Sequence, residues 1–368
     1  MRKKIAALVI ALGIFAVQAL PALACGGLIA PDGDVRLQNA TTLIAWHNGI
    51  EHYLTTFTYA GSSTDLGWIV PLPAVPLQIQ DGGAWTLQRL EIASHPVTLA
   101  FGAAQTDSAA APSATVLQRV KIEALNITVI RGSGPEIINW ATGNNFFLND
   151  DTRNHLLTYA KGSPIFMAVK FDTSAAKARG QLQGDGTPIL ITMKIPHIWV
   201  PLEVLALDGQ QVQADLFLLT DNPVYTSDFS AFAGQSSVGS TIGNAQGFTM
   251  PFQEQIDASL YHDLSTDRNM GWVWPNSWLT YLTLNAPSEA VTYDMGVASS
   301  GVIRLAPFGT PPMAVVDSQA SHSLPSWVPE MPLGTPQFLI GTIIVLTILA
   351  SSVMFLRHRR RTRTELAA

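Results

Sequence analysis

The chain has 368 residues, 47% of them hydrophobic, a formal net charge of −6 and a single cysteine. That is enough for one large domain or two small ones around an apolar core, and it excludes a fold held by intramolecular disulfides or by zinc on cysteine pairs. Setting aside the three basic residues at the start, and five Arg and one Glu at the end, leaves 13 Lys plus Arg against 26 Asp plus Glu, a balance of −13. Such a surface repels phosphates, so no nucleic-acid partner is expected.

Arg2, Lys3 and Lys4 precede an apolar run from Ile5 to about Val17 and then Pro21-Ala22-Leu23-Ala24. Charge, length and the A-x-A site predict a signal peptide over 1–24, with Cys25 as the new N-terminus; an uncut second anchor is the alternative. From Asp34 to Ala60 two β-rich runs flank Asn48-Gly49, which predicts a hairpin on a type I′ turn. A two-residue loop sets His47 opposite Ile50 and Ala45 opposite His52. One face then carries Leu43, His47, Ile50, His52 and Leu54, and the other carries Ile44, Trp46, Tyr53, Phe57 and Tyr59. The aromatic-rich face is the better candidate for the core.

Gly67 to Pro73 reads as a short strand whose prolines belong at an edge or strand end, and Trp85 to Ile92 as a short helix. Ala103 to Ala114, dominated by Ala and Ser, is a flexible loop or low-complexity insertion. Apolar residues alternate from Val116 to Ile130, and Gly132-Ser133-Gly134-Pro135 starts a helix. A further helix is capped by Asp150 or Asp151 and stops at Lys161-Gly162. Strands follow at Ile165 to Phe171 and Ile189 to Ile195, with a hairpin of Leu202 to Leu207 and Val212 to Leu219 around Asp208-Gly209. A Gly/Ser-rich passage over 234–247 is a candidate sub-boundary within an extracytoplasmic domain of 25–306.

Seven prolines between Pro307 and Pro336 predict an extended stalk over 307–337. Phe338 to Leu356 is an uncharged run just long enough, at about 1.5 Å per residue, to cross a hydrocarbon core of about 30 Å. No Lys or Arg lies between Arg304 and Arg357, whereas five Arg fall in 357–368, so the tail is expected in the cytoplasm and the bulk outside, as a single-pass type I protein of the cell membrane. The fold class expected is α+β: a mainly antiparallel β-sheet ectodomain with a few short helices, plus one C-terminal transmembrane helix.

Ala24-Cys25-Gly26-Gly27, the hairpin from Thr42 to Tyr53, Ile69-Val70-Pro71-Leu72-Pro73 and Gly83 to Leu90 together resemble the bacterial domain of unknown function 2330 family. Gly134 to Tyr159, with Glu136-Ile137-Ile138-Asn139-Trp140, is similar as well. The resemblance covers most of Cys25 to about Pro307 and implies an exported bacterial protein without an assigned activity, many members carrying a C-terminal membrane helix. It carries over no catalytic residues. Some members have a second cysteine soon after Cys-Gly-Gly, where this chain has Leu28-Ile29-Ala30.

The residues that could carry chemistry are few. His47 and His52 share a hairpin face as diagonal neighbours, about 7–8 Å apart at Cα, within reach of one metal; Asp32 or Asp34 could add a ligand if the chain folds back. Solvated or hydrogen-bonded rings are the simpler reading. Cys25, once an N-terminus, could use its own amine to activate the thiol, as in N-terminal-nucleophile hydrolases, or be a lipidated or plain free cysteine. Gly132-Ser133-Gly134 lacks the third glycine of a dinucleotide fingerprint and reads as a turn. Asp32-Gly33-Asp34, Gly184-Asp185-Gly186 and Asp150-Asp151 lack the ligand ladder of a calcium loop. Trp272, Trp274 and Trp278 suggest a strand face of core residues, or exposed rings for sugars or peptides. No G-x-S-x-G elbow, Walker loop or H-E-x-x-H occurs. The function expected is a binding or cell-envelope role without enzyme chemistry or cofactor, toward an extracytoplasmic protein or ligand; a membrane-tethered hydrolase using Cys25 is the alternative.

Overall fold

The computed structural model describes residues 23–24, 28–29, 36–60, 65–94, 114–146, 148–172, 187–206, 211–226 and 237–317. Two short strands, β1 (Leu23–Ala24) and β2 (Leu28–Ile29), precede the hairpin of β3 (Arg36–His47) and β4 (Ile50–Ala60). Asn48 and Gly49 sit at φ 50° and 79°, the left-handed pair that a type I′ turn demands. His47 pairs with Ile50, Ala45 with His52 and Leu43 with Leu54, the register that turn imposes.

The chain continues through β5 (Asp65–Pro71), β6 (Gln78–Asp81) and α1 (Thr86–Ser94). Next come β7 (Thr115–Ile122), β8 (Leu125–Arg131), α2 (Gly134–Gly143) and α3 (Asp150–Gly162). Then follow β9 (Ile165–Asp172), β10 (Ile189–Lys194), β11 (Ile198–Val200), a 3₁₀ turn at Glu203–Ala206 and β12 (Gln211–Thr220). Last are β13 (Tyr225–Thr226), β14 (Phe248–Gln255), α4 (Ala258–Thr266), β15 (Trp278–Pro287), β16 (Tyr293–Val297), β17 (Val302–Pro307) and α5 (Pro312–Asp317).

These strands form three sheets. The largest runs β14-β15-β12-β3-β4-β10-β6, with β1 alongside β12; a second runs β2-β5-β9-β8-β7, and a third β11-β16-β17-β13. The second is antiparallel throughout. The other two are mixed, because β12 lies parallel to β3 and to β1, and β13 parallel to β17.

Period-two alternation sorts the large sheet's side chains into two cores. Leu43, Leu54, Leu190, Phe217 and Leu219 point to one face and pack with Leu87 and Leu90 of α1 and with Leu260 and Leu264 of α4. Ile44, Phe57, Ile191, Leu216 and Leu218 point to the other and join a larger core that includes Ile127 and Val129 of β8, Val169 of β9 and Met295 of β16. Burial on both faces explains why the second half of β12, Leu216 to Leu219, is an unbroken apolar run, whereas its first half alternates. It also corrects the hairpin reading: the aromatic face enters the larger core, but the histidine face is interior too, with Leu43 and Leu54 at 0% exposure.

The fold class is corrected as well. Among the described residues the protein is mainly β, with three sheets against helices of at most 13 residues, and is not α+β. No helix among them is long and apolar enough to cross a membrane. The span expected over 338–356, the tail 357–368 and most of the leader 1–24 lie outside the described residues. So do Cys25, Asp32, Asp34, Gly184-Asp185-Gly186 and most of 103–114. The hairpin expected around Asp208-Gly209 is not formed as drawn, because Glu203–Ala206 is a 3₁₀ turn and only the second arm is a strand. Asn149 caps α3, its side chain accepting from the Thr152 N–H at 2.7 Å, which moves Asp150 and Asp151 into the first turn, where they face the positive end of the helix. Within the stretch read as a stalk, Pro312–Asp317 is helical and Val315 is buried.

Candidate functional site

The hairpin tip shows how the paired histidines are used. The His47 ring stacks on Trp274, centroids 4.5 Å apart, and His52 stacks on Trp272 at 3.9 Å and 3° between planes. Trp272 and Trp274 lie in turns between α4 and β15, not on a strand, yet alternate spacing still delivers both rings to one face. Their loop is held by Asp267. Its Oδ2 accepts from the N–H groups of Trp85 and Thr86 at 3.1 and 2.9 Å and from Thr86 Oγ1 at 2.7 Å, and its Oδ1 from Arg268 N–H at 2.7 Å.

His47 Nδ1 lies 2.6 Å from Asp221 Oδ1, and Asn48 Nδ2 lies 2.7 Å from His47 Nε2. Both ring nitrogens are therefore engaged, and a metal would have to displace a partner. His52 Nδ1 meets Thr192 Oγ1 at 3.2 Å, and burial lowers its pKa to about 4. No group of three or more His, Cys, Asp or Glu side chains suited to a metal occurs among the described residues.

A second polar locus lies in the interior. Asp294 Oδ1 accepts from Tyr159 Oη at 2.7 Å and from the N–H groups of Leu202 and Glu203 at 3.0 and 3.4 Å. The Val204 N–H donates to Tyr159 Oη at 3.1 Å, and His155 Nε2 is paired with Glu203 Oε1. Burial raises Asp294 to about 7 against the pull of these hydrogen bonds, and raises Glu203, an effect His155 partly offsets. Desolvation alone would lower His155, but the contacts with Glu203 and Asp151 prevail and raise it. The network ties α3 to the 3₁₀ turn and β16. Glu51 is a third buried acid: strand parity puts it beside Trp46 and Tyr53 on the large core's side, where its Oε2 accepts from Trp199 N–H at 3.2 Å and burial lifts it to about 8. These groups hold elements together: α3 to the 3₁₀ turn and β16 in the first place, and β4 to β11 in the second.

The third locus is open. A cavity of ≈ 230 Å³ lies between the antiparallel sheet and the end of α2, lined among others by Arg119, Asn126, Trp140, Phe146 and Lys170. Register builds its floor: Lys121 pairs with Asn126, and Asn126 in turn with Lys170, while Arg119 pairs with Thr128, and Thr128 with Ala168. Six side chains in two rows across three strands thus share one face. α2 brings Trp140 down onto it, fixed at its start by Glu136 Oε2, which accepts from both the N–H and the Oγ of Ser133 at 2.7 and 2.8 Å. Gly132-Ser133-Gly134 is accordingly a helix-start turn. Asn144 Nδ2 bonds back to the Trp140 carbonyl at 2.8 Å, and the Lys170 ammonium lies 5.5 Å from the Phe146 ring centroid. The lining holds three cations and no carboxylate. Asn126 Nδ2 and Trp140 Nε1 are buried donors without a hydrogen-bond partner.

Another cavity, ≈ 240 Å³, lies between α1, β14 and α4; there Arg89 is paired with Asp263 at 2.8 Å and Asp257 caps α4 through Leu260 N–H at 2.7 Å. None of the lining residues of the first cavity was singled out for chemistry in the sequence. The only signal was alternation in β7 and β8, which gives the face but not its neighbours.

The chain belongs to the bacterial family DUF2330, described as an uncharacterized protein conserved in bacteria, whose profile matches residues 19–241. No curated protein matches it. Among solved structures, a crystal structure of baculovirus P35 is similar at 6% identity and a TM-score of 0.36, over 76% of this chain and 93% of that one. A likeness that slight bears on neither fold nor activity.

Proposed function

We propose that this chain is a non-catalytic, extracytoplasmic binding domain that takes a small ligand in the cavity of the antiparallel sheet. The cavity carries the reading: its floor is built by strand register, it has an aromatic wall, and two of its lining side chains hold buried donors with no partner. By contrast, His47, His52, His155 and Tyr159 are each committed to stacking or hydrogen bonds within the fold. The extracytoplasmic placement rests on the leader-like pattern of Arg2 to Ala24 and is checked by protease accessibility in intact cells.

Native mass spectrometry of the full chain, purified from a bacterial host, tests the binding role. A small molecule should be retained by the parent protein and lost from Thr128→Phe, which fills the cavity from a half-buried position. A parent protein that carries nothing, and whose melting temperature no compound in a metabolite library raises, would contradict the reading.

A further inference from the structure

The binding reading leaves open what the cavity selects, and the inference drawn next rests on that reading. We propose that the cavity binds an oxyanion, the carboxylate or phosphate group of a small aromatic or apolar molecule, held by Arg119, Asn126 and Lys170 on its floor and by Trp140 in its wall.

Three independent observations converge. The first is charge. Besides Lys121, which has a partner within the fold, the lining carries Arg119 and Lys170 with no Asp or Glu, in a chain whose acidic residues outnumber its basic ones. Cations grouped this way repel one another, and an anion between them relieves that repulsion while gaining charge-assisted hydrogen bonds.

The second is the donor set. Asn126 Nδ2 and Trp140 Nε1 are N–H donors buried without an acceptor. Indole nitrogens without a partner occur elsewhere in the core, at Trp68 and Trp199, so one such atom marks no site. What distinguishes Trp140, at 4% exposure, is that its neighbours in the same lining are cations and a second unpartnered donor. All of these groups donate, and a ligand that satisfies them must accept.

The third is the apolar part. Trp140, Phe146 and Ala168 give the lining its apolar side chains, and the Trp140 and Phe146 rings stand 5.8 Å apart at 40°. A bare inorganic ion would leave that surface unfilled, whereas a ring or short aliphatic body attached to the oxyanion would cover it. A volume near 230 Å³ suits a molecule of modest size.

Calorimetric titration of the full chain with benzoate, phenyl phosphate, inorganic phosphate and the neutral isostere benzamide decides the matter. Benzoate or phenyl phosphate should bind, weaken severalfold on raising salt, and bind roughly tenfold more tightly than benzamide. Preference between the first two identifies carboxylate or phosphate as the group taken, and either supports the proposal. Lys170→Met and Trp140→Phe should each weaken the preferred ligand by about tenfold. The second keeps an aromatic ring but removes the N–H together with the indole's five-membered ring, so its melting temperature should fall somewhat; a retained cooperative thermal transition would show both variants folded.

Benzamide binding as tightly as benzoate, without salt dependence, would overturn the oxyanion while leaving the cavity a ligand site. Inorganic phosphate binding as tightly as phenyl phosphate would overturn the apolar half of the assignment. No heat from any of the four at millimolar concentration would overturn the oxyanion and count against the binding role as well.

Discussion

Glu51 is the residue at which a local pattern and the fold disagree most sharply. It stands between His52 and the Asn-Gly turn, in a stretch that reads as polar, but alternation assigns it to the face of Trp46 and Tyr53, and the packing leaves it at 0% exposure. Its carboxyl keeps a proton in the folded chain up to about pH 8, whereas the unfolded chain releases it near 4.5. A group raised in this way makes stability fall as pH rises from about 4.5 to 8, and level off above. For a fully buried acid the loss across that window is on the order of 4 kcal/mol. Glu51→Gln keeps the shape without the titration, so its melting temperature should exceed the parent's at pH 8–9, nearly match it at pH 5, and show a slope flatter by about one proton. Parallel curves for the two proteins would refute this. His52 acts in the opposite sense: its pKa is lowered from 6.5 to about 4, so it costs stability as pH falls through that range. His52→Phe, which can still stack on Trp272, should flatten the acid limb by about one proton in thermal melts between pH 6.5 and 4.

At the scale of elements, what was legible was local. Asn48-Gly49 specified its hairpin and register, and Lys161-Gly162 ended α3 because glycine disfavours helix and the chain turns there. The β7–β8 hairpin was harder to see. It turns through Glu123-Ala124, with Glu123 at φ 54°, a conformation that sequence readers assign to Gly or Asn. The N-terminus of α1 likewise has a cap that no local pattern contains, since Asp267 supplies it from 181 residues away. Asp267→Ala removes an acceptor from four donors, three of them at that helix end, and should cost roughly 2–3 kcal/mol in chemical denaturation. It should also loosen the loop bearing Trp272 and Trp274, which fluorescence would register. A cost below 0.5 kcal/mol would show that water replaces it readily.

Glycines at two turns give a paired comparison. Gly49 has φ +79° and open space about the position of a Cβ, so Gly49→Ala should cost only about 1 kcal/mol of backbone strain. Gly247 has φ +69°, and a Cβ there would stand 1.9 Å from the Asn285 carbonyl oxygen. Its own carbonyl accepts from Asn285 N–H at 2.9 Å, pinning β14 against β15. Gly247→Ala should cost about 3 kcal/mol or more, and equal melting temperatures for the two variants would contradict the packing of that edge.

For the whole molecule, the limits of sequence reading follow from distance along the chain. β12 finds β3 in parallel register across more than 160 residues, and nothing in either strand names the other, so the mixed sheets and the mainly β class stayed hidden behind a count of short helices. The cavity was hidden for the same reason. Arg119, Asn126, Trp140 and Lys170 come from β7, β8, α2 and β9, and only the folded register makes three ordinary surface-type residues and an indole into one lining. The histidines drew notice because they are close in sequence, and the fold then gave them tryptophan partners.

The most direct test of the central claim is an NMR titration of the full chain, labelled with nitrogen-15, that follows the indole Nε1–H signals, with Trp140 assigned through Trp140→Phe. Benzoate or phenyl phosphate should shift the Trp140 signal progressively and saturably, as an N–H that gains an acceptor does, and leave the indoles of Trp199 and Trp272 in place. A Trp140 signal that stays fixed while the ligands are raised to millimolar concentration, or that moves only together with every other indole, would contradict a binding site in this cavity.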